Sequence, residues 1–233
     1  LYEGTVVDFF PGWSGSFDTS GGEEGLCKAG DGISNSYDGH PGSKGSLLIS
    51  AELPEDLDAL DECADPSPSY TPVGPQVDVP VSQVTEGGWT QCYQGTYDEK
   101  DVSLEAIQEK CSGDSLMLAC REKGSNTLKL LAWAPRDDVL MDTGDNLNGT
   151  HLANGTAWYF YPGDGAGGYG AWGFLKAGDS LTKKPCDTSE LGAEDNRLCW
   201  HLNNDLTFGY RCGAQQMLNW SADWERVIYH MGK

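Results

Sequence analysis

Four histidines, His40, His151, His201 and His230, are all the imidazole the chain carries. None falls in an H-E-x-x-H zinc pattern, and no G-x-S-x-G elbow offers a nucleophile beside one. His201 follows Cys199-Trp200 in a strand-like stretch and reads as structural. The acidic pair Asp137-Asp138 has the chemistry of glycosidase carboxylates, but 36 Asp and Glu in 233 residues make such pairs uninformative. A literal G-x-G-x-x-G occurs at Gly165-Ala-Gly167-Gly168-Tyr169-Gly170. A dinucleotide site needs a helix after those glycines, to hold the pyrophosphate at its N-terminus. Here Ala171-Trp-Gly-Phe-Leu175 has strand spacing, Pro162 interrupts the approach, and 31 glycines make a chance match the better account. With no catalytic constellation nominated, the chain is expected not to be an enzyme.

Binding chemistry is better represented. Asp142, Asp145, Asn146 and Asn148 place four oxygen-bearing side chains within seven residues, beside Gly144. Calcium favours hard oxygen ligands on such loops, although the spacing does not fit an EF-hand. Calcium is therefore the one cation considered, with Asp142, Asp145 and Asn146 as ligands and a solvated loop as the alternative. Eight Trp and ten Tyr form the other notable population. Trp158, Tyr169 and Trp172 flank the glycine-rich loop. Exposed, they would stack on sugar rings; buried, they are core. Three N-x-S/T sequons, at Asn148, Asn154 and Asn219, mark glycan acceptors in a secreted chain.

The eight cysteines, Cys27, Cys63, Cys92, Cys111, Cys120, Cys186, Cys199 and Cys212, include no C-x-x-C pair. Scattered and even in number, they read as disulfides in an oxidising compartment. Cys27–Cys63 is the natural bridge of the N-terminal portion. The other six allow fifteen patterns; the preferred set is Cys92–Cys111, Cys120–Cys212 and Cys186–Cys199. The sequence opens at Leu1 without a leader, as a mature secreted form would, and no apolar run approaches the ~20 residues of a membrane span. The formal net charge is -21. Such acidity repels nucleic-acid phosphates and anionic lipid, so neither nucleic acid nor membrane insertion is expected.

The elements that would position these groups are mostly strands. Four prolines in Pro66–Pro75 suggest an extended connector, which divides the chain into an acidic β-rich domain (1–64), a Pro-rich linker (65–86) and a Cys/Trp-rich sandwich-like domain (87–233). Before the linker, Thr5–Phe10 and Ser46–Ala51 read as strands and Glu52–Cys63 as a short helix. After it, Trp89–Tyr93 reads as a strand and Asp101–Cys111 as an amphipathic helix capped by Asp or Ser. Ser115–Cys120 and Thr127–Trp133 form a hairpin around Lys123-Gly-Ser-Asn126, and Arg197–His201 pairs with Leu206–Cys212. Trp224–His230 is the last strand. The expected fold is all-β, an antiparallel sandwich or jelly roll with one or two short helices, in two disulfide-stapled domains.

The order of motifs Trp89-Thr-Gln-Cys-Tyr93, Leu118-Ala-Cys-Arg121, Asp138-Val-Leu-Met-Asp-Thr-Gly144, Trp172-Gly-Phe174, Arg197-Leu-Cys-Trp-His201 and Gly209-Tyr-Arg-Cys-Gly213 resembles a Cys- and Trp-rich domain. That domain occurs in uncharacterised secreted and surface proteins of bacteria and aquatic microorganisms. The resemblance covers about residues 88–233 and implies an extracellular module, sometimes part of surface fibres, with no assigned activity. Combined with the apolar Thr5–Phe10, in which Val6, Val7, Phe9 and Phe10 could add to a sheet edge on a neighbouring copy, it favours a glycosylated subunit. Such a subunit would assemble head-to-tail into an extracellular filament or coat, its partners being copies of itself. The alternative is a carbohydrate-binding or adhesion module, assisted by calcium.

Overall fold

Alternation along β3 (Ser115–Glu122) sends Leu116, Leu118 and Cys120 to one side and Met117 and Ala119 to the other, and both sets are buried. A strand covered on both faces needs more than a partner sheet, and that requirement organises the molecule. The structure, a computed structural model, describes residues 69–163, 169–182 and 186–232. The chain divides into units Leu1–Pro66 and Ser67–Lys233, and all described residues belong to the second. The N-terminal strands and helix expected from sequence, the Cys27–Cys63 bridge and the assembly residues Val6, Val7, Phe9 and Phe10 lie outside the described residues.

The expected all-β class holds: two antiparallel five-stranded sheets, a few short helices and three disulfides. The first sheet contains β1 (Gln76–Pro80), β2 (Thr90–Thr96), β3, β4 (Thr127–Pro135) and β10 (Trp224–Met231), in the order β1-β4-β3-β10-β2. The second runs in sequence order through β5 (His151–Ala153), β6 (Thr156–Tyr161), β7 (Gly170–Lys176), β8 (Leu198–Asn203) and β9 (Asp205–Cys212). Between the sheets lies one apolar core. Leu118, Leu130 and Ile228 from the first meet Trp158, Trp172, Phe174 and Trp200 from the second. The aromatic rings meet at angles, Trp172 against Trp200 at 5.7 Å and Trp158 against Phe174 at 5.2 Å, geometries that aromatic quadrupoles favour.

Each sheet also has a covered outer face. Over the first lies the segment entering β2. Here α1 (Val81–Glu86) buries Val84 completely, and Trp89 packs edge-on against Trp133 while its Nε1 donates to Tyr70 O at 2.7 Å. Within the segment expected as a linker, residues 76–86 form β1 and α1, while 69–75 take no regular element. Pro80 ends the edge strand β1 and caps α1, positions where a missing N–H costs no ladder bond.

Over the second sheet lie residues 177–182 and 186–197, with the Cys186–Cys199 disulfide beneath them. They are clamped by a buried ionic cluster. Arg197 Nη1 donates to Asp187 Oδ2 at 2.8 Å, and Arg211 Nη1 donates to the Ser189 and Asp187 carbonyls at 2.8 and 3.2 Å. Between the sheets, α2 (Leu104–Lys110) buries Leu104 and Ile107. Its cap is Ser103, whose Oγ accepts from Ala106 N–H. The Cys92–Cys111 bridge ties that helix to β2, and Cys120–Cys212 joins the two sheets through the core. All three pairs coincide with the preferred set. A short α3 (Arg136–Val139) leads out of β4.

Candidate interaction surface

The edge strand β9 departs from its ladder twice. Between the pairs Leu202–Leu206 and Trp200–Gly209 it carries one residue more than β8, and it does so again between Trp200–Gly209 and Cys199–Arg211. Bulges of this kind re-aim side chains and recur beside functional sites. The first break contains Phe208, whose φ is +55°. Such a backbone costs a bulky L-residue about 1–3 kcal/mol unless its surroundings impose it. Here they do. Phe208 N–H donates to Glu99 O at 2.8 Å, and the buried Arg226 donates from Nη1 to Phe208 O at 2.7 Å and from Nη2 to Glu99 O at 3.2 Å. Burial pushes the Arg226 guanidinium below its ordinary pKa, yet a guanidinium keeps its proton at physiological pH. Next in line, Gly209 lies so close to Tyr97 that a Cβ would sit 2.3 Å from the ring.

The bulges display aromatic rings. Phe208 packs at 4.3 Å, tilted, against Trp220, which is 73% exposed. Trp220 stands on the 213–223 loop, as does Met217, 76% exposed and held at φ +63°. Turn bonds fix the loop. Gln215 N–H donates to Cys212 O, Leu218 N–H to Tyr210 O and Ser221 N–H to Leu218 O, and Tyr210 Oη donates to Gln216 Oε1. Tyr210, at the second bulge, meets the His201 ring edge-on at 6.4 Å, and His201 meets the half-exposed Tyr169 at 6.3 Å. Where the loop joins β10, an open depression is lined by Glu122, Lys123, Asp223 and Trp224. A firm backbone thus offers solvent a set of large apolar groups, which suits docking onto another surface.

Of the ligand-binding residues expected from sequence, Tyr169 alone belongs to this surface. Trp158 and Trp172 are 1% exposed, because they share the inward face of β6 and β7 with Phe160 and Phe174. They are core. Two of the oxygens considered for calcium bond within their own loop. Asp142 Oδ1 accepts from Gly144 N–H at 2.7 Å and Asn146 Oδ1 from Asn148 N–H at 3.1 Å, so these oxygens close turns. Neither Asp142 nor Asp145 joins a convergent group of three His, Cys, Asp or Glu among the described residues. Gly170 opens strand β7 and not a helix, so the glycine match is no dinucleotide motif. Asp138 Oδ1 lies 2.6 Å from His151 Nε2, half-buried beside α3.

The sequence carried one overlooked signal for β9. A glycine inside a strand, as Gly209 is, marks a bulge or a close approach. The exposed Met217 and Trp220 had no such marker.

Among the described residues no helix is long and apolar enough to cross a membrane; this and the three disulfides are compatible with an extracellular protein. No protein-family model, curated protein or solved structure matches the chain.

Proposed function

We propose that this protein is a structural subunit of an extracellular assembly, docking onto further copies of itself through the β9 surface. The observation that carries the reading is Trp220, held on a tightly bonded loop with most of its ring in water and packed at a tilt against the strained Phe208. Exposed tryptophans in such settings are typical anchors of protein interfaces. The Cys- and Trp-rich domain that residues 88–233 resemble, an extracellular module sometimes part of surface fibres, points the same way. So does the acidity, which favours a hydrated outer surface. A sugar ring is the second occupant the rings would suit, since Trp and Tyr faces stack on pyranoses.

Sedimentation velocity on the native protein and on Trp220→Ser and Met217→Ser distinguishes these. The native protein is expected to form concentration-dependent oligomers at micromolar concentration, and each variant to shift the distribution toward monomer. Stability should hold within about 0.5 kcal/mol, as for other surface substitutions. A native protein that stays monomeric at tens of micromolar overturns self-assembly. Glycan-array binding lost in Trp220→Ser would then establish the carbohydrate reading.

A further inference from the structure

Two sequons six residues apart, Asn148-Gly-Thr150 and Asn154-Gly-Thr156, look alike in sequence and are built differently. We infer that Asn148 accepts an N-linked glycan and that Asn154 does not, its amide being a structural clasp. Asn154 and Gly155 have φ of +45° and +67° between the paired Ala153 and Thr156. That is the two-residue turn Asn-Gly favours in hairpins. From this turn Asn154 Nδ2 donates to Pro72 O at 2.9 Å and to Trp133 O at 3.1 Å. The Asn154 carbonyl accepts from Gly74 N–H at 2.8 Å, and Thr156 is fully buried. The hairpin of the second sheet is thereby fastened to the segment that leads into β1.

Glycan transfer from a polyprenyl pyrophosphate donor joins Nδ2 to C1 of the first sugar. Nδ2 gives up one proton, and the pyrophosphate-bearing carrier leaves. A single N–H then remains on Nδ2. It cannot serve both carbonyls, and the sugar would begin where the Pro72 and Trp133 oxygens now lie. Asn148 has no such obstacle. It is exposed at a turn closed by Gly149 N–H to Asn146 O, and Thr150 is exposed as well.

The inference needs passage through a glycosylating secretory route but not the docking proposed above. It is tested by expressing the full chain behind a secretory leader in a eukaryotic cell. Glycopeptides are mapped after enzymatic deglycosylation in 18O-water, which marks each occupied asparagine as Asp. Asn148 should be marked and Asn154 unmarked in the folded, secreted protein. Thr150→Ala should remove that glycan with the melting temperature within about 2 °C. Asn154→Asp should leave the Asn148 glycan in place and lower the melting temperature by several degrees. A glycan on Asn154, an unmodified Asn148, or an Asn154→Asp protein as stable as the native one overturns it. If Asn154→Asp is not secreted, the mapping of the native protein decides alone.

Discussion

Asp187 is fully buried between Arg197 and Arg211, themselves fully buried, so the carboxylate and guanidiniums exist out of water only because they face one another. Removing one member of such a cluster leaves uncompensated charge, at a cost of about 3–5 kcal/mol. Asp187→Ala is expected to lose that much in denaturant unfolding. Asp78→Asn removes the solvent-exposed partner of Lys129 and should change stability by less than about 1 kcal/mol. Burial also raises the pKa of Tyr97 and Tyr159 above the ordinary 10.0, opposed at Tyr97 by the Trp200 hydrogen bond and reinforced at Tyr159 by the Asp187 charge. The unfolded chain ionises these phenols near pH 10 while the folded one keeps them protonated. Above pH 10 the unfolded state therefore binds fewer protons, and stability falls as pH rises. Part of the tyrosinate absorbance at 295 nm should emerge together with loss of far-UV circular dichroism. Tyrosinate appearing in full while the fold persists would contradict this burial.

At the level of elements, hairpins and helix were legible because their signals are local. Lys123-Gly124 turns β3 into β4, Ser103 caps α2, and the strands alternate or run apolar as sheet positions require. The cover of the first sheet was not legible. Four prolines in Pro66–Pro75 argue for an extended connector, and local spacing gives no sign that Val84 and Trp89, further on, land on a sheet face that would otherwise lie bare. The β9 surface stayed hidden for a related reason. A bulge is set by pairing with β8 and by Arg226 reaching from β10, contacts with no trace in local spacing. Trp158 and Trp172 were ambiguous for the same cause, since an aromatic run reads alike whether a sheet covers it or not. Val84→Asp tests the cover directly. Burying a carboxylate against Trp89 and Met117 should cost about 3 kcal/mol or more. That is roughly 6–12 °C in melting temperature for a unit of this size. The same change at the exposed Val77 should be nearly silent.

For the whole molecule, one of the two candidate partners responds to charge and the other does not. Each copy carries a formal -21, so two copies approaching through β9 repel before their apolar groups meet. Screening shortens that repulsion, the Debye length falling from ~30 Å at 0.01 M salt to ~10 Å at 0.1 M. Apolar contact is not weakened by the same change and is strengthened by excluded salts such as sulfate. Self-assembly through Trp220, Met217 and Phe208 should therefore grow stronger as sodium chloride rises from 10 to 300 mM, and stronger still in sulfate. A neutral sugar stacking on the same rings presents no charge to screen, so its affinity should stay flat across that range. Light scattering against salt, read beside the Trp220→Ser variant, separates the cases. Association that rises with salt and vanishes in the variant identifies copies of the chain as the partner of this surface. Association that weakens with salt requires a cationic partner instead and removes the self-docking proposal.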